Sequence, residues 1–177
     1  MSARARRAAA EELRALFQDC LACVASIRVR DTLGRQHEPW MVEFEGIGEA
    51  RRQAGRGTLG VVMRVRARLE AADDSGRRWQ ARIVAYQYAL LDRDGREYLA
   101  YHWHPDGSSH VTEPHLHLGP AAQVGVAEMA AAHLPTGPVS LALVARLAID
   151  GLGARPLRAD WPAVLTQAAR SLTPALV

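Results

Sequence analysis

Leu59-Gly-Val-Val-Met-Arg-Val-Arg-Ala-Arg-Leu69 alternates apolar and basic residues. Val61, Met63, Val65 and Leu69 take the odd positions, and Arg64, Arg66 and Arg68 the even ones. Successive side chains of a strand point to opposite faces, so the stretch predicts a β-strand with one apolar face and an arginine stripe on the other. Downstream, Ala71-Ala-Asp-Asp-Ser-Gly76 reads as a turn. Trp79 to Leu91, dense in β-branched and aromatic residues, reads as the next strand. Asp94-Gly95 predicts a tight hairpin into a strand over 97–104, His104-Pro-Asp-Gly-Ser-Ser109 a second turn, and His110 to Leu118 a last extended stretch. With a two-residue turn, Tyr88 faces Tyr101 and Tyr86 faces Trp103. A three-residue loop with a bulge slips that register by one.

Upstream, Leu13, Leu16, Phe17, Cys20, Leu21 and Val24 recur at helical spacing, predicting a helix over 8–25. Short strands are expected at Ile27–Arg30 and Trp40–Glu45, with the glycine- and arginine-rich segment 46–60 as a loop. After Gly119-Pro120 the pattern turns helical, with helices expected near 122–133, 139–151 and 161–171. Gly151-Leu-Gly153 supplies a left-handed residue to end the middle one, and Asp160 an N-cap for the last. The order predicts an α+β fold: an N-terminal helix, a five- or six-stranded mostly antiparallel sheet (about 26–118), and C-terminal helices (about 122–172) packed on one face. At 177 residues and 19.3 kDa, with 49% hydrophobic and 23% charged residues, the expectation is one folded domain over 1–177.

There is no apolar run of membrane-spanning length and no signal-peptide pattern behind the basic N-terminus, so a cytoplasmic protein without membrane attachment is expected. Every basic residue is arginine, and neither lysine nor asparagine occurs, which reads as a coding bias. Residues 1–96 hold 18 arginines against 13 acidic residues, and residues 97–177 hold 4 against 6. That asymmetry is too mild to argue for nucleic acid alone. Cys20-Leu-Ala-Cys23 lies on the first helix without the second pair a zinc site needs, so both cysteines are read as small buried residues.

The chemistry lies in histidine. His102, His104, His110, His115 and His117 fall within sixteen residues. Parity puts His102 with His104, and His115 with His117, on faces opposite Tyr101, Trp103, Leu116 and Leu118. Four imidazoles can then project from one face of adjoining strands. Three uses follow. As a metal site, the four neutral imidazoles could bind zinc or another divalent transition metal, with Glu113 or Asp106 adding a carboxylate. As an acid–base site, His102, His104, His115 and His117 could cleave an RNA or nucleotide phosphodiester. Arg64, Arg66 and Arg68 would hold the phosphate if their stripe shares the histidine face, being otherwise a solvated sheet face, and Tyr86, Tyr88 or Tyr101 would stack or donate. As tolerated strand residues, they would leave a non-catalytic interaction module. The familiar patterns fail: the cupin-type glutamate is replaced by Ser108 and Ala121, a third alternate histidine by Gly119, and no nucleophile elbow or phosphate-binding loop occurs. Nor does the last helix carry the basic or amide side chains of a DNA-reading helix, offering only Gln167 and Arg170.

The run Tyr86-Gln-Tyr-Ala-Leu-Leu-Asp-Arg-Asp-Gly95, through Tyr101-His-Trp-His-Pro-Asp-Gly107 to Pro114-His-Leu-His-Leu-Gly119, resembles the TumE-like family of toxin components in bacterial toxin–antitoxin pairs. The likeness covers roughly residues 60–120. It implies a common sheet, a toxin setting and an antitoxin-like protein partner. The chain departs from that family in Tyr101-His-Trp-His104, where an arginine- and aspartate-containing segment is usual, and in nearly sixty residues of expected helix beyond Gly119.

Overall fold

The computed structural model describes residues 3–33, 40–55, 57–73, 75, 77–107 and 110–176. Asp74 and Gly76 of the first expected turn, and Ser108 and Ser109 of the second, lie outside them, as does His37. The N-terminal helix α1 (Ala3–Ala22) buries Leu13, Phe17, Cys20 and Leu21 along one stripe. It leads to a sheet of seven strands: β1 (Arg30–Asp31), β2 (Met41–Arg51), β3 (Thr58–Ala71), β4 (Trp79–Leu91), β5 (Glu97–Trp103), β6 (His115–Leu118) and β7 (Leu134–Pro135). Strand order follows chain order and every pairing is antiparallel. Helices α2 (Ala127–Ala131), α3 (Leu141–Asp150) and α4 (Trp161–Leu172) complete an α+β fold.

The arginine strand is as its alternation dictates. Val61, Met63, Val65, Ala67 and Leu69 are buried, while Arg64 and Arg68 are exposed and Arg66 half-buried. The apolar face packs under α1, α3 and α4 in one core that includes Phe17, Phe44, Tyr86, Tyr88, Leu141 and Leu165. Phe17 meets Phe44 edge-on, ring centroids 5.4 Å apart.

Segment 46–60, expected as a loop, is mostly strand: β2 runs to Arg51 and β3 begins at Thr58. Gly55 (φ +68) and Gly57 (φ +81) make the turn between the two strands, but Gly46 and Gly48 serve close approach. A Cβ on Gly46 would stand 2.6 Å from Leu21 Cδ1, and one on Gly48 would stand 2.6 Å from Ile27 Cγ1. Bare strand backbone is what lets α1 and the chain after it lie this close. Ile27–Val29 does not pair as a strand; Gln18 instead donates to the Ile27 carbonyl at 2.6 Å and accepts from the Val29 N–H at 3.0 Å.

The β4–β5 hairpin combines both expected alternatives. Gly95 has φ +77 and Asp92 N–H donates to the Arg96 carbonyl at 2.7 Å, which makes a three-residue loop. A register shift between Leu90 and Leu91 cancels the slip, so Tyr88 faces Tyr101 and Tyr86 faces Trp103 after all. Tyr98 is displaced by that irregularity and packs against the core.

The helix expected over 122–133 shrinks to α2, because Gln123 takes a left-handed φ of 52 after a single 3-10 turn. Gly153 (φ +72) is the left-handed residue after α3. Asp160 precedes α4, but its carboxylate accepts from Arg158 at 2.6 and 2.8 Å instead of capping the helix. Both cysteines are buried and unoxidised, and burial pushes the Cys20 thiol far above its ordinary range.

Candidate metal centre

The sheet face away from the helices carries the polar alternates of each strand. One cross-strand row reads Glu45, Arg64, Gln87, His102, His115, each residue the register partner of the next. Adjacent strands are about 4.8 Å apart, so the row spans roughly 19 Å over β2 to β6. Along β6, His117 projects on the same side as His115 and pairs with Ala100. Ala85, Ala89 and Ala100 share this face and are buried on it.

Three of the rings bring ligand atoms close enough together to hold a metal ion. The ligand nitrogens of His102, His115 and His117 all lie within 4.8 Å of one another. Ring centroids are 4.9 Å apart for His102–His117 and for His115–His117, and 5.8 Å for His102–His115. Bonds of about 2.05 Å to a tetrahedral zinc separate nitrogens by roughly 3.3 Å. The rings would draw inward by at most about 1.5 Å, within reach of side-chain rotation.

The polar bonding around these rings suits a metal. His115 is buried, and its Nδ1 lies 2.7 Å from the Glu113 carbonyl oxygen. A carbonyl only accepts, so Nδ1 carries the proton and Nε2 keeps its lone pair for a ligand bond. His102 Nε2 is shielded from solvent and has no hydrogen-bond partner among the described residues. A buried ring nitrogen without a partner is costly, and a metal would satisfy it. Burial, and then the positive charge His117, His104, His115 and His133 would bring, lowers the His102 pKa to about 4. Burial likewise lowers His117, helped by His133 and His115, and lowers His104, helped by His115 and Arg66. Neutral imidazole is the form that ligates.

His104 stands beside the group, its ring 5.5 Å from that of His102, just past the end of β5. His133 joins from a different part of the chain. Its centroid is 4.3 Å from His117 and 4.9 Å from His115, because β7 pairs with β6 and carries the preceding residue alongside. Sixteen residues separate it from His117, and no spacing in the sequence signals it. His110, 5.9 Å from His133, lies at the margin. Neither expected carboxylate joins the rings directly. Glu113 acts through its main-chain carbonyl, and Asp106 lies 3.7 Å from the Arg66 guanidinium.

No family model, curated protein or solved structure matches the chain.

The other residues singled out in the sequence divide between the two faces. Arg64 and Arg66 share the histidine face; Arg64 bonds Glu45 at 3.2 Å and Gln87 at 3.4 Å. Arg68 lies opposite Arg82, farther along β3. The tyrosines sit on the other side. Tyr86 and Tyr88 are fully buried in the core, stacked with centroids 4.7 Å apart, and Tyr101 packs against it. The expectation that they contact a molecule held by the histidines is corrected by the strand parity of β4 and β5. Tyr86 has another use: its hydroxyl accepts the Val139 N–H at 2.9 Å, tying the chain before α3 to the sheet.

Proposed function

We propose that the protein binds a divalent transition metal, zinc first, through His102, His115 and His117. The observation that carries this reading is the convergence of three imidazole nitrogens within 4.8 Å. The Glu113 carbonyl fixes one tautomer, and a buried nitrogen on His102 has no partner among the described residues. Three protein nitrogens leave a coordination position, and His133 is placed to fill or guard it. A bound ion with an open position would supply Lewis-acid chemistry. Metal analysis of purified protein, with zinc and cobalt titrations, tests the site. One equivalent is expected, with affinity down at least about tenfold in His102→Ala, His115→Ala and His117→Ala. His133→Ala should keep the metal but alter the visible spectrum of the cobalt form. Metal content no higher than that of a triple-alanine variant sinks the proposal.

A second reading is favoured by Arg64 and Arg66 lying on the histidine face. In it, the neutral imidazoles work without metal as acid and base on an RNA or nucleotide phosphodiester, whose 2′-hydroxyl is its own nucleophile. The TumE-like resemblance adds a toxin setting and an antitoxin-like partner to this reading. It requires growth arrest on expression, abolished by His102→Ala or His117→Ala; a harmless wild-type chain would remove it.

A further inference from the structure

Beside the histidines, the open face of the sheet is hollowed into a groove of about 410 Å³, bounded by β2, β3, β4 and the turn after β5. Its volume is within the range of small-molecule sites. One end holds His104, Gln87 and Asp106; Arg66 and Arg64 lie on the middle strand; Glu43 and Glu45, their register partners, form the other end on β2. Apart from Asp106, donors thus lie toward the histidines and acceptors on the strand farthest from them.

Arg66 is the residue with an open account. Its Nε is shielded from water and has no hydrogen-bond partner among the described residues. Among them, its ion pair is a 3.7 Å contact with Asp106, a turn residue whose side chain is 78% exposed. Arg64, by contrast, is held by Glu45 and Gln87. A guanidinium binds oxyanions through parallel N–H bonds, and Arg66 is poised to exchange its loose carboxylate for a better acceptor. His104, on the wall nearest His102, adds a ring nitrogen at the histidine end. At the far end, carboxylates repel anions but accept from hydroxyl groups.

We propose that this groove is a sugar-phosphate site, in which Arg66 grips the phosphate and Glu43 and Glu45 accept hydroxyls of the sugar. It names the substrate class of the histidine centre and rests on that centre acting on what the groove holds. The phosphate end faces the imidazoles, so a ligand lies with its ester beside them and its hydroxyls away.

Calorimetry on the full-length chain tests it with ribose 5-phosphate, inorganic phosphate and ribose, and metal content is measured on each sample. Ribose 5-phosphate should bind at least about tenfold tighter than either fragment. Arg66→Gln should weaken it and phosphate alike by about tenfold or more, with Arg66→Lys between, and with metal content unchanged. Glu43→Gln should weaken ribose 5-phosphate but not phosphate. Equal binding of ribose and ribose 5-phosphate, or an Arg66→Gln variant that binds as the wild type does, overturns the assignment. His117→Ala separates it from the metal reading. Phosphate binding that survives loss of metal places the anion in the groove, and binding that disappears with the metal places it on the ion and rejects the groove.

Discussion

His102 and His115 face each other across β5 and β6, but their ring nitrogens are treated differently. Nδ1 of His115 is held by a carbonyl, while Nε2 of His102 is sealed in with no partner among the described residues. The first arrangement orients a ligand; the second penalises an empty site. It also penalises a proton, because a charged His102 would be desolvated and surrounded by other imidazoles. In the unfolded chain this ring titrates near 6.5, and in the fold near 4. As pH falls below 6.5, the unfolded state takes up a proton that the folded state refuses, so folding stability declines down to about pH 4. Above 6.5 neither state binds that proton and this contribution is flat. Metal-free protein should therefore show a lower urea midpoint at pH 5 than at pH 7.5. His102→Gln should flatten that slope; an equal slope in the variant removes His102 as its source.

At the scale of elements, the short β6 is what makes a site out of scattered histidines. It pairs with β5 to set His115 beside His102, and with β7 to bring in His133. Gly119 fixes where it ends. A Cβ there would stand 2.2 Å from the Glu97 carbonyl oxygen, and its N–H bonds the Tyr98 carbonyl at 3.1 Å. Gly119→Ala should cost about 1–3 kcal/mol in chemical denaturation, as overpacking does, and should weaken metal binding by shifting His117. A variant with wild-type stability and metal affinity would show that β6 tolerates the change. This edge also marks how far the sequence could be read. Period-two alternation made β3, β4 and β5 legible strand by strand, but that Arg64 and Arg66 share a face with His102 and His117 follows only from the register between strands. The glycines of β2 were misleading, because lost side chains mark a close approach as readily as a turn. His133 was invisible, since a two-residue strand has no period to detect. The tyrosines were legible in parity but not in role, for a phenol buried among helices resembles one lining a groove until the helices are placed.

For the whole molecule, the metal would act as a clasp. The proposed ligands and His133 come from residues 102–133, on β5, β6 and the chain entering β7. Metal bound to the native state alone should raise stability by about 2.7 kcal/mol at a hundredfold excess over Kd. Added zinc should raise the melting temperature and a chelator reverse it, and His117→Ala should do neither. If zinc left the wild-type melting curve unmoved, no such clasp would exist.

The meander itself has a consequence for how the protein comes into being. Each strand pairs only with its immediate predecessor and successor in the chain, so contacts within the sheet are local in sequence, the condition under which β-structure forms fastest. During synthesis the row would be laid down in order. Glu45 and Arg64 can meet before Gln87 has left the ribosome, and the imidazoles are the last members of the row to arrive. The polar face that would do chemistry is then laid down before α3 and α4 emerge to close the apolar face behind it.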